Sequence, residues 1–382
     1  MKPLFAGSLA FLTVFLALAF ALACGGGSSA AVANGRQQAD DDAADDDAAD
    51  DDGSPADDDD NDDDDFWSLM NSGTTVTNFA AVWGSSTSDV FTVGLDQNTN
   101  AGVILKYDGS SWSAMASPAS SALTGVWGSS PSDVFAVGQD PSNAALVVHY
   151  DGTSWSAMTS GATTDDLKSI WGSSSSDVFI VGQDQNSYAP LILHYGGTSW
   201  EPMTSGTTGA VDLGAVWGSS SSDVFAVGGF GDPYDGHTAV ALLHYDGTSW
   251  TPMTVTTTAI FMWGAWGTSS SDMFTVGYSK TGSEILHYDG ASWSVMSGGA
   301  LNNSELYGIW GSSATDVFAS GDEGDPSNGH VTASVILHYD GSTWSAMDSQ
   351  VTGAVGLYGV WGSSASDVFC VGQGGTILHY GQ

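Results

Sequence analysis

The 382-residue sequence predicts an all-β fold, a seven-bladed β-propeller of four-stranded blades, on three observations. A unit reading roughly WGSSxSDVFxVG, a variable stretch, then ILHYDGTSWSAM recurs seven times, led by Trp83, Trp127, Trp171, Trp217, Trp266, Trp310 and Trp361 at intervals of 44, 44, 46, 49, 44 and 51 residues. A period of that size with four short β-type segments reads as blades, because one small twisted sheet cannot bury both its faces until neighbours stack on it. The last copy stops after Thr376 to Tyr380, without its W-x-x-M segment, and that segment sits at the front of the repeats: Trp67-Ser68-Leu69-Met70 matches Trp155-Ser156-Ala157-Met158. Pairing the strand at 66–72 into the last blade closes the ring and leaves no open edge.

Taken in chain order, residues 1–23 read as a signal peptide: a lysine, then an apolar run ending in small residues at Cys24. Ala21-Leu22-Ala23-Cys24-Gly25 resembles a bacterial lipobox, which implies acylation of Cys24. Ordinary cleavage and secretion is the alternative, and a retained spanning helix fits less well because the run is short. Residues 24–65 follow as an acidic stalk with 17 aspartates and almost nothing apolar, a composition that cannot pack a core. As a coil it spans about 35 Å r.m.s.. The aspartate runs lack the glycine-turned loop of a protein Ca²⁺ site.

Residues 66–382 form the disc. In the second blade the expected strands are Leu123 to Trp127, Asp133 to Gly138, Leu146 to Tyr150 and Trp155 to Met158. DVFAVG is apolar on both faces, as a strand sandwiched between blades must be. The recurring tryptophans are read as core. The aspartate that opens each second strand (Asp133 and its equivalents) is expected to fix the preceding turn. His149, His194, His244, His287, His338 and His379 recur before tyrosine, with Lys106 in that place in the first blade. Six histidines spread around a disc cannot converge on one metal, so they are read as hydrogen-bonded packing residues. Cys370 fills the strand slot that holds Ala136, Ile180 or Ala226 in other blades, with no cation near it in sequence to stabilise a thiolate.

The apolar strand ending in Val227-Gly228-Gly229, followed by Tyr245 and Trp250, resembles a kelch-type propeller repeat across Trp67 to Tyr380. It departs in having the full glycine pair only in the fourth blade and a shorter tyrosine-to-tryptophan spacing. The resemblance implies a fold and a bacterial surface-lipoprotein setting, not an activity.

In a four-stranded blade the turns after strands one and three share one face, and here they are short and nearly constant. The opposite face receives the stretches that vary: 95–102, 183–190, 229–240, 278–284 and 322–334. Recognition is expected there. Tyr188, Phe230, Tyr234, Trp263, Tyr278 and Tyr307 supply candidate ligand-binding aromatic surface, beside Phe261 and Tyr358. Gly231-Asp232-Pro233-Tyr234-Asp235-Gly236-His237 and Gly324-Asp325-Pro326-Ser327-Asn328-Gly329-His330 share a motif, making Asp232, Asp235, His237, Asp325 and His330 a candidate cation set; no cofactor is expected beyond Ca²⁺ at such a site. A copied Asp-Pro turn explains the same residues.

Arg36, in the stalk, is the only arginine, so the disc has no bidentate clamp for carboxylate or phosphate. The disc carries 27 acidic residues against three lysines, a net charge of −24 before histidine is counted. Nucleic acid and anionic membrane surfaces are poor partners for that field. Asp165-Asp166 and Asp322-Glu323 are expected on exposed loops with ordinary acidity. The sequence thus predicts a non-enzymatic, monomeric binding or assembly module, lipid-anchored at the outer membrane or cell surface, with an envelope protein or neutral glycan as partner. The alternative is an extracellular polysaccharide hydrolase or lyase using loop carboxylates.

Overall fold

The computed structural model describes residues 66–75, 77–142, 144–161, 165–231, 237–297, 301–324 and 330–381. The leader, Cys24 and the acidic stalk lie outside them. Seven antiparallel four-stranded sheets follow one another, each in the order inner, second, third, outer strand. The inner strands are Thr77–Ser86, Leu123–Ser130, Asp165–Ser174, Val211–Ser220, Ala259–Ser269, Ser304–Ser313 and Leu357–Ser364. In the seventh blade the outer strand is Trp67–Leu69, paired to Ile377–Tyr380 with Trp67 opposite Tyr380. Ring closure through the N-terminal strand is therefore observed.

Second-blade strands run Leu123–Ser130, Asp133–Gln139, Ala145–Tyr150 and Trp155–Met158. The inner strand outruns its expected end because the serines after Trp127-Gly128 continue the ladder, leaving a two-residue turn before Asp133. Likewise, much of 322–334 is strand rather than loop: the sixth blade's second and third strands extend to Gly324 and from Val331.

Blade-to-blade packing explains the signature residues. Each lead tryptophan covers the W-G glycine of the next blade, where an added Cβ would meet the indole at 2.5–2.9 Å; Trp83 lies on Gly128, and Trp361 lies on Gly84 across the closure. The phenylalanine of DVF is buried in every second strand. In most blades it meets the next blade's outer tryptophan edge-on, as in Phe179–Trp250 at 6.2 Å. Phe318–Trp67 at 6.2 Å and Phe369–Trp112 at 6.0 Å carry the pattern through the seventh blade. Such pairs add about 0.5–1.5 kcal/mol beyond area burial.

Within six blades the recurring histidine and aspartate, separated by 12–22 residues, meet: Nε2 lies 2.7–2.8 Å from the aspartate Oδ1. The imidazole also lies 4.4–4.6 Å from the DVF phenylalanine. A serine or threonine hydroxyl of the inner strand donates to the second carboxylate oxygen. In the first blade Lys106 does the same work, with Nζ 3.0 Å from Asp89 and 5.0 Å above the Phe91 ring. These residues tie three strands of one blade together. Cys370 is fully buried, and burial pushes its thiol up to about 12, as an inert core side chain requires.

Candidate functional site at the channel mouth

The site grows from one irregularity repeated in all seven inner strands. Pairing with the second strand slips one residue three places before the lead tryptophan, leaving Ala80, Thr124, Lys168, Gly214, Trp263, Tyr307 and Tyr358 as bulge residues. A bulge re-aims its side chain, which is why such positions collect at functional sites. The residue after each bulge is small: Ala81, Gly125, Ser169, Ala215, Gly264, Gly308 or Gly359. A Cβ on Gly264 would stand 2.6 Å from the Tyr307 carbonyl oxygen, so small residues let neighbouring inner strands approach. All of these positions except Tyr307 line an axial cavity of about 180 Å³.

At the end of the channel where the inner strands begin, the bulge residues Lys168, Trp263, Tyr307 and Tyr358 join Asp166, Asp212, Phe261 and Glu305, two places before bulges, in an acidic and aromatic cluster with two halves. In one half Lys168 Nζ lies 2.5 Å from both carboxylate oxygens of fully buried Asp212, 3.9 Å from Asp166, and 5.5 and 5.6 Å from the Phe261 and Trp263 ring centroids. His237 stands 3.6 Å from Asp212 and 4.6 Å from the Phe261 ring. Burial pushes the Asp166 carboxyl up to about 6; the Lys168 ammonium opposes the shift and the Asp212 charge adds to it.

In the other half Glu305 and Asp322 are cross-strand partners. The Tyr307 hydroxyl donates to Glu305 at 3.3 Å, and it also interacts with Asp322. Burial, reinforced by the Glu305 charge, pushes Asp322 up to about 7, and burial raises Glu305 too. Tyr358 receives a hydrogen bond from Gln373, and its ring lies 5.2 Å from Tyr307. Trp263 joins the halves, 4.2 Å from Phe261 and 6.1 Å from Tyr307. Tyr278, 6.5 Å from Phe261, completes the wall; burial pushes its phenol up to about 12. Among the described residues no ion pair neutralises Glu305 or Asp322, whereas Asp212 has Lys168.

Several sequence expectations change here. Asp166 and Asp322 are not exposed loop carboxylates: they lie in strands, 6% and 7% exposed, because their blades' first hairpins run long enough to pair Asp166 with Gln183 and Asp322 with Glu305. Trp263, Tyr278 and Tyr307 do converge. Tyr188 does not join them; its carbonyl accepts the Val211 N–H at 2.9 Å and links the third blade to the fourth. Phe230 lines a separate cavity of about 490 Å³ with Val240, Met253, Ile260 and Lys280. Tyr234, Asp232, Asp235 and Asp325 lie outside the described residues. His237 belongs to the Asp212 half of the mouth, His330 is exposed, and no group of three potential metal-ligating side chains stands together among the described residues. Sequence reading missed Lys168, Asp212, Glu305 and Asp322 as members of one site. The available signal was the variable column inside otherwise constant inner strands.

Fold and closure define a seven-bladed β-propeller. No family model and no curated protein matches the chain. Among solved structures it is similar to YCF48 bound to a D1 peptide (TM-score 0.59, 16% identity, covering 83% of this chain and 95% of that one). It is similar also to YCF48 from Cyanidioschyzon merolae (0.59, 13%, 83% and 99%) and to the WD40 propeller domain of Doa1 (0.60, 10%, 83% and 98%). At these identities the likeness is one of fold, and it does not extend to a kelch subtype.

Proposed function

We propose that the chain is a protein-binding propeller, held in the cell envelope by an acylated Cys24, whose channel mouth takes a basic segment of its partner. The observation that carries this reading is the adjoining pair of carboxylates, buried Asp322 and half-buried Glu305, beside the aromatic wall of Trp263, Tyr307 and Tyr358. A buried carboxylate without a counter-charge is costly, and an incoming ammonium relieves that cost. Lys168 on Asp212, Phe261 and Trp263 is an internal example of the same chemistry, combining charge pairing with a cation–π contact. A similar propeller described as bound to a peptide supports the ligand class.

The test is a titration of full-length protein with fluorescent lysine-rich peptides and their Nε-acetylated counterparts. Binding of the lysine form, weakened roughly thirtyfold or more in Asp322→Asn or Glu305→Gln, is expected for a buried charge contact. Equal binding of acetylated and free peptides would overturn the proposal.

The same carboxylate pair favours one second reading, polysaccharide hydrolysis, because glycosidases use two carboxyls about 5–10 Å apart. Against it, the Tyr307 hydroxyl engages both Glu305 and Asp322, so the two carboxyls are already bridged by a protein group. Release of reducing ends from envelope polysaccharide, abolished in Glu305→Gln, would establish that reading instead.

A further inference from the structure

Every blade carries W-x-x-M in its outer strand, and the channel mouth makes no use of the methionine. Met70, Met115, Met158, Met203, Met253, Met296 and Met347 are all half-buried at the circumference. Each packs against the core cluster that contains the next blade's outer tryptophan. In three interfaces the indole N–H donates to the sulfur at 3.4–3.5 Å: Trp112 to Met70, Trp155 to Met115 and Trp293 to Met253. In the other four, Trp67, Trp200, Trp250 and Trp344 are 1–6% exposed, and their buried Nε1 has no hydrogen-bond acceptor among the described residues. An unmet buried donor is destabilising, because it has lost its hydrogen bond to water and gained none in return. The thioether is too weak an acceptor to answer it fully.

We propose that the rim methionines are modification sites for peroxide. The sulfur lone pair attacks one peroxide oxygen and forms the S–O bond as the O–O bond breaks; the departing hydroxide takes the proton of the transferred oxygen and leaves as water. The sulfoxide oxygen then accepts the neighbouring indole N–H. Met347, Met158, Met203 and Met296 serve Trp67, Trp200, Trp250 and Trp344 respectively. Methionine sulfoxide ordinarily disrupts a core because it buries a polar oxygen. Here that oxygen lands beside an idle donor, so the disc takes up oxidant without opening. Met262 and Met273, fully buried elsewhere in the inner and second strands of the fifth blade, have no part in this.

Full-length protein is treated with hydrogen peroxide, and sulfoxides are assigned by peptide mass spectrometry alongside thermal melts. The expected result is oxidation of the seven rim methionines, with Met262 and Met273 roughly tenfold or more slower, and a melting temperature that does not fall. In Trp250→Phe, which lacks the donor, oxidation should lower the melting temperature relative to the untreated variant. Should that variant fail to fold, Met203→Leu replaces it: oxidised wild type should then melt no lower than oxidised Met203→Leu. A fall in the melting temperature of oxidised wild type, or oxidation of Met262 and Met273 at the rim rate, would overturn the proposal.

Discussion

Replacing Asp322 by asparagine should make the protein more stable above neutral pH and flatten its pH dependence. In the folded disc burial and the Glu305 charge push Asp322 up to about 7, against 3.8 for an unperturbed aspartate. Between those values the folded state holds a proton that the unfolded chain has released. Stability from this group is therefore fully present below about pH 4 and is lost as the pH rises through 7. A shift of about three units corresponds to about 4 kcal/mol in the limit where Asp322 titrates alone; coupling to Glu305 assigns part of it to the pair. Asparagine keeps the shape of the protonated acid and does not titrate. Wild type and variant are compared by urea unfolding from pH 4.5 to 8.5. The wild type should lose stability across the range, and the variant should lose less, keeping the slope that belongs to Asp166 and Glu305. Equal slopes, or a variant less stable than wild type at pH 8.5, would refute the reasoning.

Three further predictions rest on other parts of the structure. Trp67→Ala should cost about 3–5 kcal/mol, because Trp67 is 1% exposed between Phe318 and Tyr380; deleting 66–72 should be worse, and an unchanged melting temperature would refute closure. His244→Ala should destabilise by about 1–2 kcal/mol through its lost bond to Asp223, and His244→Lys should recover most of that, since Lys106 fills the equivalent slot; equal melts for the two variants would count against it. Cys24→Ala should move the protein from the membrane fraction to the soluble one, and continued membrane association without detergent would point to another anchor.

Blade geometry was legible because the repeat states it seven times. The second-blade strands were placed to within a residue or so except at the inner strand's end, where serines that look like a turn continue the ladder. The closing strand was legible because the seventh copy is incomplete and its missing segment stands at the front. The histidine–aspartate bond was missed although both residues recur in each copy: the aspartate opens one strand and the histidine lies near the end of the next, so only the hairpin register brings them together. The mouth was the hardest part. A simple alternation puts successive inner-strand residues on opposite faces, and the bulge breaks that rule where Lys168, Trp263, Tyr307 and Tyr358 stand. Asp322 beside Glu323 reads as a solvated loop, and only the length of that hairpin buries one of the two.

The most direct test of the channel mouth as the binding surface is photo-cross-linking in the native host. A photoreactive residue replaces Tyr307 in one full-length variant and Val295, which is exposed on an outer strand, in another. The proposal predicts a discrete adduct from position 307, with the cross-linked peptide of the partner rich in lysine or arginine, and no matching adduct from position 295. Adducts from 295 alone, or the same adducts from both positions, would contradict it.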